Sequence, residues 1–145
     1  MRMHNRVAPS ARTGLIAIAT AIAVTSGVAL AVEAPSVLSG DQEVPKVVST
    51  ASAVSDIVVG DGMAVSGGVI TSGIDGTAAH IHQGAAGVNG PVLVTLVKKS
   101  ATRWSVPDGT RFTASQYASY LAGDLYVNVH SDAHKDGEIR LQLHP

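Results

Sequence analysis

The sequence predicts an all-β fold, an antiparallel sandwich or barrel carrying one short helix. Three observations predict it. Short apolar runs are punctuated by Gly, Asp, Asn and Pro. Several runs alternate with period two, most clearly Ala79-His80-Ile81-His82 and Tyr126-Val127-Asn128-Val129-His130. Only one stretch, Thr113 to Leu121, has residues that start and stop a helix.

Taken in order, Ser36 to Ser39 is the first strand, followed by the polar turn Gly40 to Pro45. Ser52 to Val59 is the second, ended by Gly60-Asp61-Gly62. Met63 to Ile70 is the third, with a bulge or bend at Gly67-Gly68. Thr77 to His82 is the fourth, and the glycine-rich loop Gln83 to Gly90 leads into a fifth, Pro91 to Val97. Lys98 to Gly109 reads as irregular and holds the single tryptophan, Trp104. In the helix Thr113 is the cap, Gly123 the stop, and Tyr117, Tyr120 and Leu121 share the inner face. Asp124 to His130 and Glu138 to Leu143 are the last strands, joined by the turn Ser131 to Gly137. Alternation places Leu125, Val127, Val129, Ile139, Leu141 and Leu143 on the core side. Tyr126, Asn128, His130, Glu138, Arg140 and Gln142 then face outward.

The 145 residues do not all belong to this domain. Arg2, Arg6 and Arg12 precede an apolar run from Leu15 to Val32, and Ala29 and Ala31 provide a small-residue cleavage site. Residues 1–31 therefore read as a signal peptide, with cleavage after Ala34 or an uncleaved anchor as alternatives. The mature chain is expected outside the cytoplasm, periplasmic or extracellular, with no stable membrane association. Cleavage removes three of ten Lys+Arg and none of eleven Asp+Glu, leaving a net charge of −4. That balance argues against nucleic acid as a partner. With no cysteine, an exported domain must hold together without disulfides.

Leu38 to Pro45, Ala79 to His82 with Gly84, Gly87 and Asn89 to Val92, Ala122 to His130, and Gly137 to Leu143 together resemble the CHRD (chordin-type) domain. The similarity runs from about Ser36 to Leu143, so the domain is taken as residues 36–145. Two departures concern packing: the second strand lacks an aromatic, and Lys46 stands where a second proline is common. The resemblance implies an immunoglobulin-like or superoxide-dismutase-like β-sandwich of the kind found in exported bacterial proteins. It assigns no activity.

His80 and His82 share one face of their strand, and His130 lies on the polar face of its own. If those strands are neighbours, three imidazoles gather, with His134 in the next turn as a fourth and Asp132 or Asp136 as carboxylate alternatives. Nitrogen donors without thiolate suit Cu(II) or Zn(II), and imidazole favours copper here. His-x-His on a sandwich strand is similar to copper-zinc superoxide dismutase, but no bridging histidine or second ligand set is present. The competing readings are an extracellular protein-interaction or adhesion module with incidental histidines, and a metalloenzyme using Glu138. Glu138 and Arg140 are candidates for a cross-strand ion pair. Asp41 and Glu43 read as a solvated pair beside a turn, His144 as a frayed bystander, and His4 leaves with the leader. No Gly-x-Ser-x-Gly elbow occurs, so nucleophilic hydrolysis has no support.

Overall fold

Period-two alternation over short segments builds the two sheets. The computed structural model describes residues 36–145, and the expected signal peptide lies outside them. The strands are β1 (Val37–Leu38), β2 (Ser52–Ser55), β3 (Val58–Val59), β4 (Val65–Ser66), β5 (Gly68–Ser72) and β6 (Gly76–Gln83). They continue with β7 (Val92–Thr95), β8 (Val97–Lys98), β9 (Arg103–Ser105), β10 (Leu125–Ser131) and β11 (Ile139–Leu143). Among the described residues one helix, α1 (Ala114–Leu121), precedes β10.

One sheet has the order β1-β2-β5-β9-β8 and the other β11-β10-β6-β7, with β3-β4 as a separate pair. All pairings are antiparallel. The fold is thus an all-β sandwich with one short helix. Leu38, Ala53, Val69 and Trp104 from the first sheet join Ala79, Ile81, Val127, Val129 and Ile139 from the second in one core. These are mostly small β-branched and aliphatic side chains, which suit closely packed pleated layers.

Three expected strands are divided. The segment 52–59 breaks after Ser55, where Asp56 N–H donates to Gly68 O and its carboxylate pairs with Arg103 at 2.9 Å. Gly67 separates β4 from β5 with φ +88°, a left-handed conformation that few residues other than glycine adopt. The fifth strand changes sheets at Leu96: β7 pairs with β6, whereas β8 pairs with β9. The stretch read as irregular contains β9, whose only apolar residue, Trp104, fills the core. One apolar side chain between Arg103 and Ser105 is too short a pattern to announce a strand.

The helix starts as expected. Thr113 accepts from Gln116 N–H while the Gln116 side chain accepts from Thr113 N–H, a complete capping box. Tyr117 and Tyr120 pack on the core, but Leu121 is 53% exposed and does not share their face. The Tyr120 hydroxyl donates to His144 O at 2.9 Å and sets the rotation of the helix.

The outer face of the β11-β10-β6-β7 sheet departs most from expectation. Tyr126, Asn128, Glu138, Arg140 and Gln142 do point away from the apolar core, yet all are buried. Three loop segments roof them, around residues 40–47, 84–91 and 131–137. The chain therefore has an apolar interior between its sheets and a polar one beneath its loops.

Candidate metal centre

Strand pairing decides whether the histidines meet. β6 lies beside β10, with His80 opposite Asn128 and His82 opposite Tyr126. The pleat places those four side chains and His130 on the roofed face. One nitrogen from each of His80, His82 and His130 falls within 4.8 Å of the others. His134 does not join them. It stands in the Ser131–Gly137 turn, where its charge bears on Glu138. Asp132 and Asp136 are exposed on the same turn.

Backbone carbonyls fix two of the rings. His82 Nδ1 lies 2.9 Å from Gly90 O, and His130 Nδ1 lies 2.8 Å from Lys135 O. A carbonyl only accepts, so both Nδ1 atoms carry hydrogen and both Nε2 atoms present a lone pair. A ring held this way by its distal nitrogen is the usual support of a metal-binding histidine. His80 Nδ1 lies 2.9 Å from His130 Nε2 and donates to it. His82 Nε2 is buried with no partner at all.

Stacking holds His82 from the side. Its ring is parallel to Tyr126 within 3°, with centroids 4.7 Å apart. Across β10, the Arg140 guanidinium lies 3.4 Å from the Tyr126 centroid, so the phenol is held between a histidine and an arginine. Gly90 N–H donates to the Tyr126 hydroxyl, tying the ring to the same loop that holds His82.

The carboxylates behave differently from the sequence expectation. Glu43 is not solvated: the turn at Gly40–Gln42 packs on β11 through Ser39 and Arg140, which turns Glu43 inward. Burial pushes its pKa up to about 7 against the pull of Arg140. Asp41 remains exposed. Glu138 and Arg140 form no ion pair. Glu138 accepts from the hydroxyls of Ser49 and Ser131, which outweigh its burial and hold it below the ordinary carboxylate range. Arg140 donates to Ala85 O, Val88 O and the side chains of Asn89 and Gln142.

Burial, then the neighbouring His130 and His82 charges, pushes the His80 pKa down to about 4, and burial also lowers that of His82. His80 and His82 are therefore neutral near pH 7 and hold lone pairs for an ion. This has a consequence for stability. His80 is depressed on folding, so its contribution is present above pH 6.5 and lost as pH falls toward 4. Glu43 is raised, so its contribution is present below pH 4.5 and lost as pH rises through 7. The slopes oppose each other between pH 4.5 and 6.5, each on the order of 1 kcal/mol after solvent screening. Urea midpoints of metal-free Glu43→Gln should then rise with pH across this window, and more steeply than those of His80→Gln, in which Glu43 opposes the remaining slope from His82. Indistinguishable profiles for the two variants would contradict the assignment.

Sequence alternation placed the side chains of this site on one face but gave no sign of the groups that orient them. The Gly90 and Lys135 carbonyls are backbone atoms, and only the conformations of their loops bring them to the rings. The inward turn of Glu43 was likewise hidden in a segment that reads as a polar surface turn.

No helix among the described residues is long and apolar enough to cross a membrane. No curated protein and no solved structure matches the chain. The family model described as CHRD domain matches residues 34–143, nearly the whole of the described part. That match covers the two strands that carry the histidines and the loops that roof them, and the chain belongs to the CHRD domain family.

Proposed function

We propose that this chain is an exported, non-enzymatic module that binds a transition metal, copper in preference to zinc, through His80, His82 and His130. One observation carries the reading: His82 Nε2 is a buried lone pair with no partner, aimed away from the carbonyl that fixes its tautomer. A buried nitrogen left this way costs about 1–3 kcal/mol, which an ion would offset. His130 is locked in the same sense, and exchange of the His80 tautomer releases both nitrogens of the His80–His130 bond.

Donor chemistry supports copper: three imidazole nitrogens with no thiolate suit Cu(II). Glu138 is engaged by two serine hydroxyls, which removes it as a ready general acid or base and favours binding over catalysis. Export rests on the leader-like residues 1–31 and on the kind of protein in which such domains occur.

Competition titration with Cu(II) and Zn(II) tests the proposal. Copper is expected to bind more tightly, and His80→Ala, His82→Ala and His130→Ala should each weaken it on the order of a hundredfold or more. Copper at about 1,000 times its Kd should stabilise the fold by about 4 kcal/mol. Unchanged affinity across all three variants would end the idea.

A second reading, a non-metal interaction or adhesion module, is favoured by the outer face of the five-stranded sheet. Val37, Val54 and Ile70 pair in one row there and are all exposed. A melting temperature indifferent to both ions would favour this reading.

A further inference from the structure

Three buried polar atoms beneath the loop roof have no partner: His82 Nε2, Asn128 Oδ1 and Glu43 Oε1. Their residues are 8%, 2% and 5% exposed, so solvent does not satisfy them. Asn128 lies on the histidine face, directly across from His80 and between Tyr126 and His130 on its own strand. Its amide has a definite sense. A Cβ on Gly137 would lie 2.7 Å from Asn128 Nδ2 and 2.5 Å from Glu43 Oε1, so the amide nitrogen and the carboxylate close on one point. The Asn128 side chain neighbours both Glu43 and His82, and with its NH2 on the side of the acid its oxygen is left for the histidine side.

His82 keeps its hydrogen on Nδ1 for Gly90 O. Its Nε2 lone pair and the Asn128 oxygen are then two buried acceptors on one face, neither with a donor. Hydrogen bonding within the protein resolves that arrangement only if the amide turns over, its NH2 donating to His82 Nε2 and a protonated Glu43 donating to its oxygen. A metal ion resolves it, because both atoms are donors of electron pairs.

We propose that Asn128 supplies the fourth protein ligand of the metal site, its carboxamide oxygen completing an N3O set with His80, His82 and His130, and that Glu43 is the positioning residue that turns this oxygen toward the ion. The inference rests on the three-histidine reading above. It adds a ligand that the strand histidines do not disclose, and an N,O set of this kind suits Cu(II).

Cu(II) titration of the full chain, read by competition affinity and by electron paramagnetic resonance, tests it. Asn128→Leu keeps the side-chain volume and removes the oxygen. It should weaken Cu(II) binding by tenfold or more and alter the copper hyperfine splitting. The double variant Glu43→Gln/Asn128→Asp exchanges acid and amide while keeping one charge, so it should retain tight binding and show the spectrum of a more anionic ligand set. Asn128→Leu that folds and binds Cu(II) with wild-type affinity and spectrum overturns the proposal. If that variant does not fold, a wild-type spectrum for the double variant overturns it instead. Wild-type protein that binds Cu(II) no better than His82→Ala overturns the three-histidine reading and this one together. Loss of binding in His82→Ala with no change in either Asn128 variant sinks the fourth ligand alone.

Discussion

Replacing Arg140 with alanine should destabilise the protein by about 3–5 kcal/mol, a large share of the 5–15 kcal/mol that holds a typical domain folded. Arg140 is 1% exposed and is the largest of the fully buried side chains. Its guanidinium donates to Ala85 O and Val88 O at 3.1 Å, to Gln142 Oε1 at 3.0 Å and to Asn89 Oδ1 at 3.3 Å. Two of those acceptors are loop carbonyls that have no strand to pair with, so the arginine acts as the ladder that the loop lacks. Truncation leaves Gln142 Oε1 buried without this donor, opens a void where the largest buried side chain stood and removes the cation from the Tyr126 ring. Urea unfolding should show a much lower midpoint with an unchanged slope. Arg140→Lys should recover less than half of the loss, because a single ammonium cannot reach a fan of acceptors spread around a planar fork. A midpoint for Arg140→Ala no lower than that of an exposed substitution such as Lys99→Ala would contradict this account.

Gly90→Ala is expected to cost about 2–4 kcal/mol and to weaken Cu(II) binding about tenfold or more. A Cβ at this position would lie 1.6 Å from Gln83 O and 2.7 Å from Gln83 C, both backbone atoms of the end of β6. Neither can rotate away, so the loop must move. That loop carries the carbonyl that fixes the His82 tautomer and the N–H that donates to Tyr126. Gly87→Ala is the matched comparison. Gly87 has φ +78° but nothing within 4 Å of the added carbon, so only the conformational penalty of about 1–2 kcal/mol applies. Copper affinity should stay at the wild-type value in Gly87→Ala and fall in Gly90→Ala. An equal loss of stability in the two variants would show that the close approach to Gln83 is unimportant.

Much of the fold was legible in residue order because alternation is a local signal. Val127, Val129 and Ile139 declare one face and Tyr126, Asn128 and His130 the other without reference to any neighbour. The capped helix was legible for the same reason, since Thr113 and Gln116 satisfy each other within four residues. What alternation cannot say is whether the face away from the oily core meets water. Arg140, Gln142 and Glu138 have the composition of a solvated face, and only the long-range return of the loops around Gly40–Val47 and Gly84–Pro91 buries them. The meeting of His80 and His82 with His130 depended on the β6–β10 pairing, a contact between residues about fifty positions apart. The sheet change at Leu96 and the strand around Trp104 were hidden because each depends on which layer the chain joins, not on its own pattern.

The two interiors also carry separate optical and magnetic beacons. Trp104, the chain's lone indole, sits in the oily layer, so its emission wavelength follows the melting of that layer. The imidazole protons of His82 lie over the Tyr126 ring, whose circulating electrons shift their resonances upfield for as long as the stack persists. Following both signals through one denaturant series reveals whether the roof lifts before the sheets part.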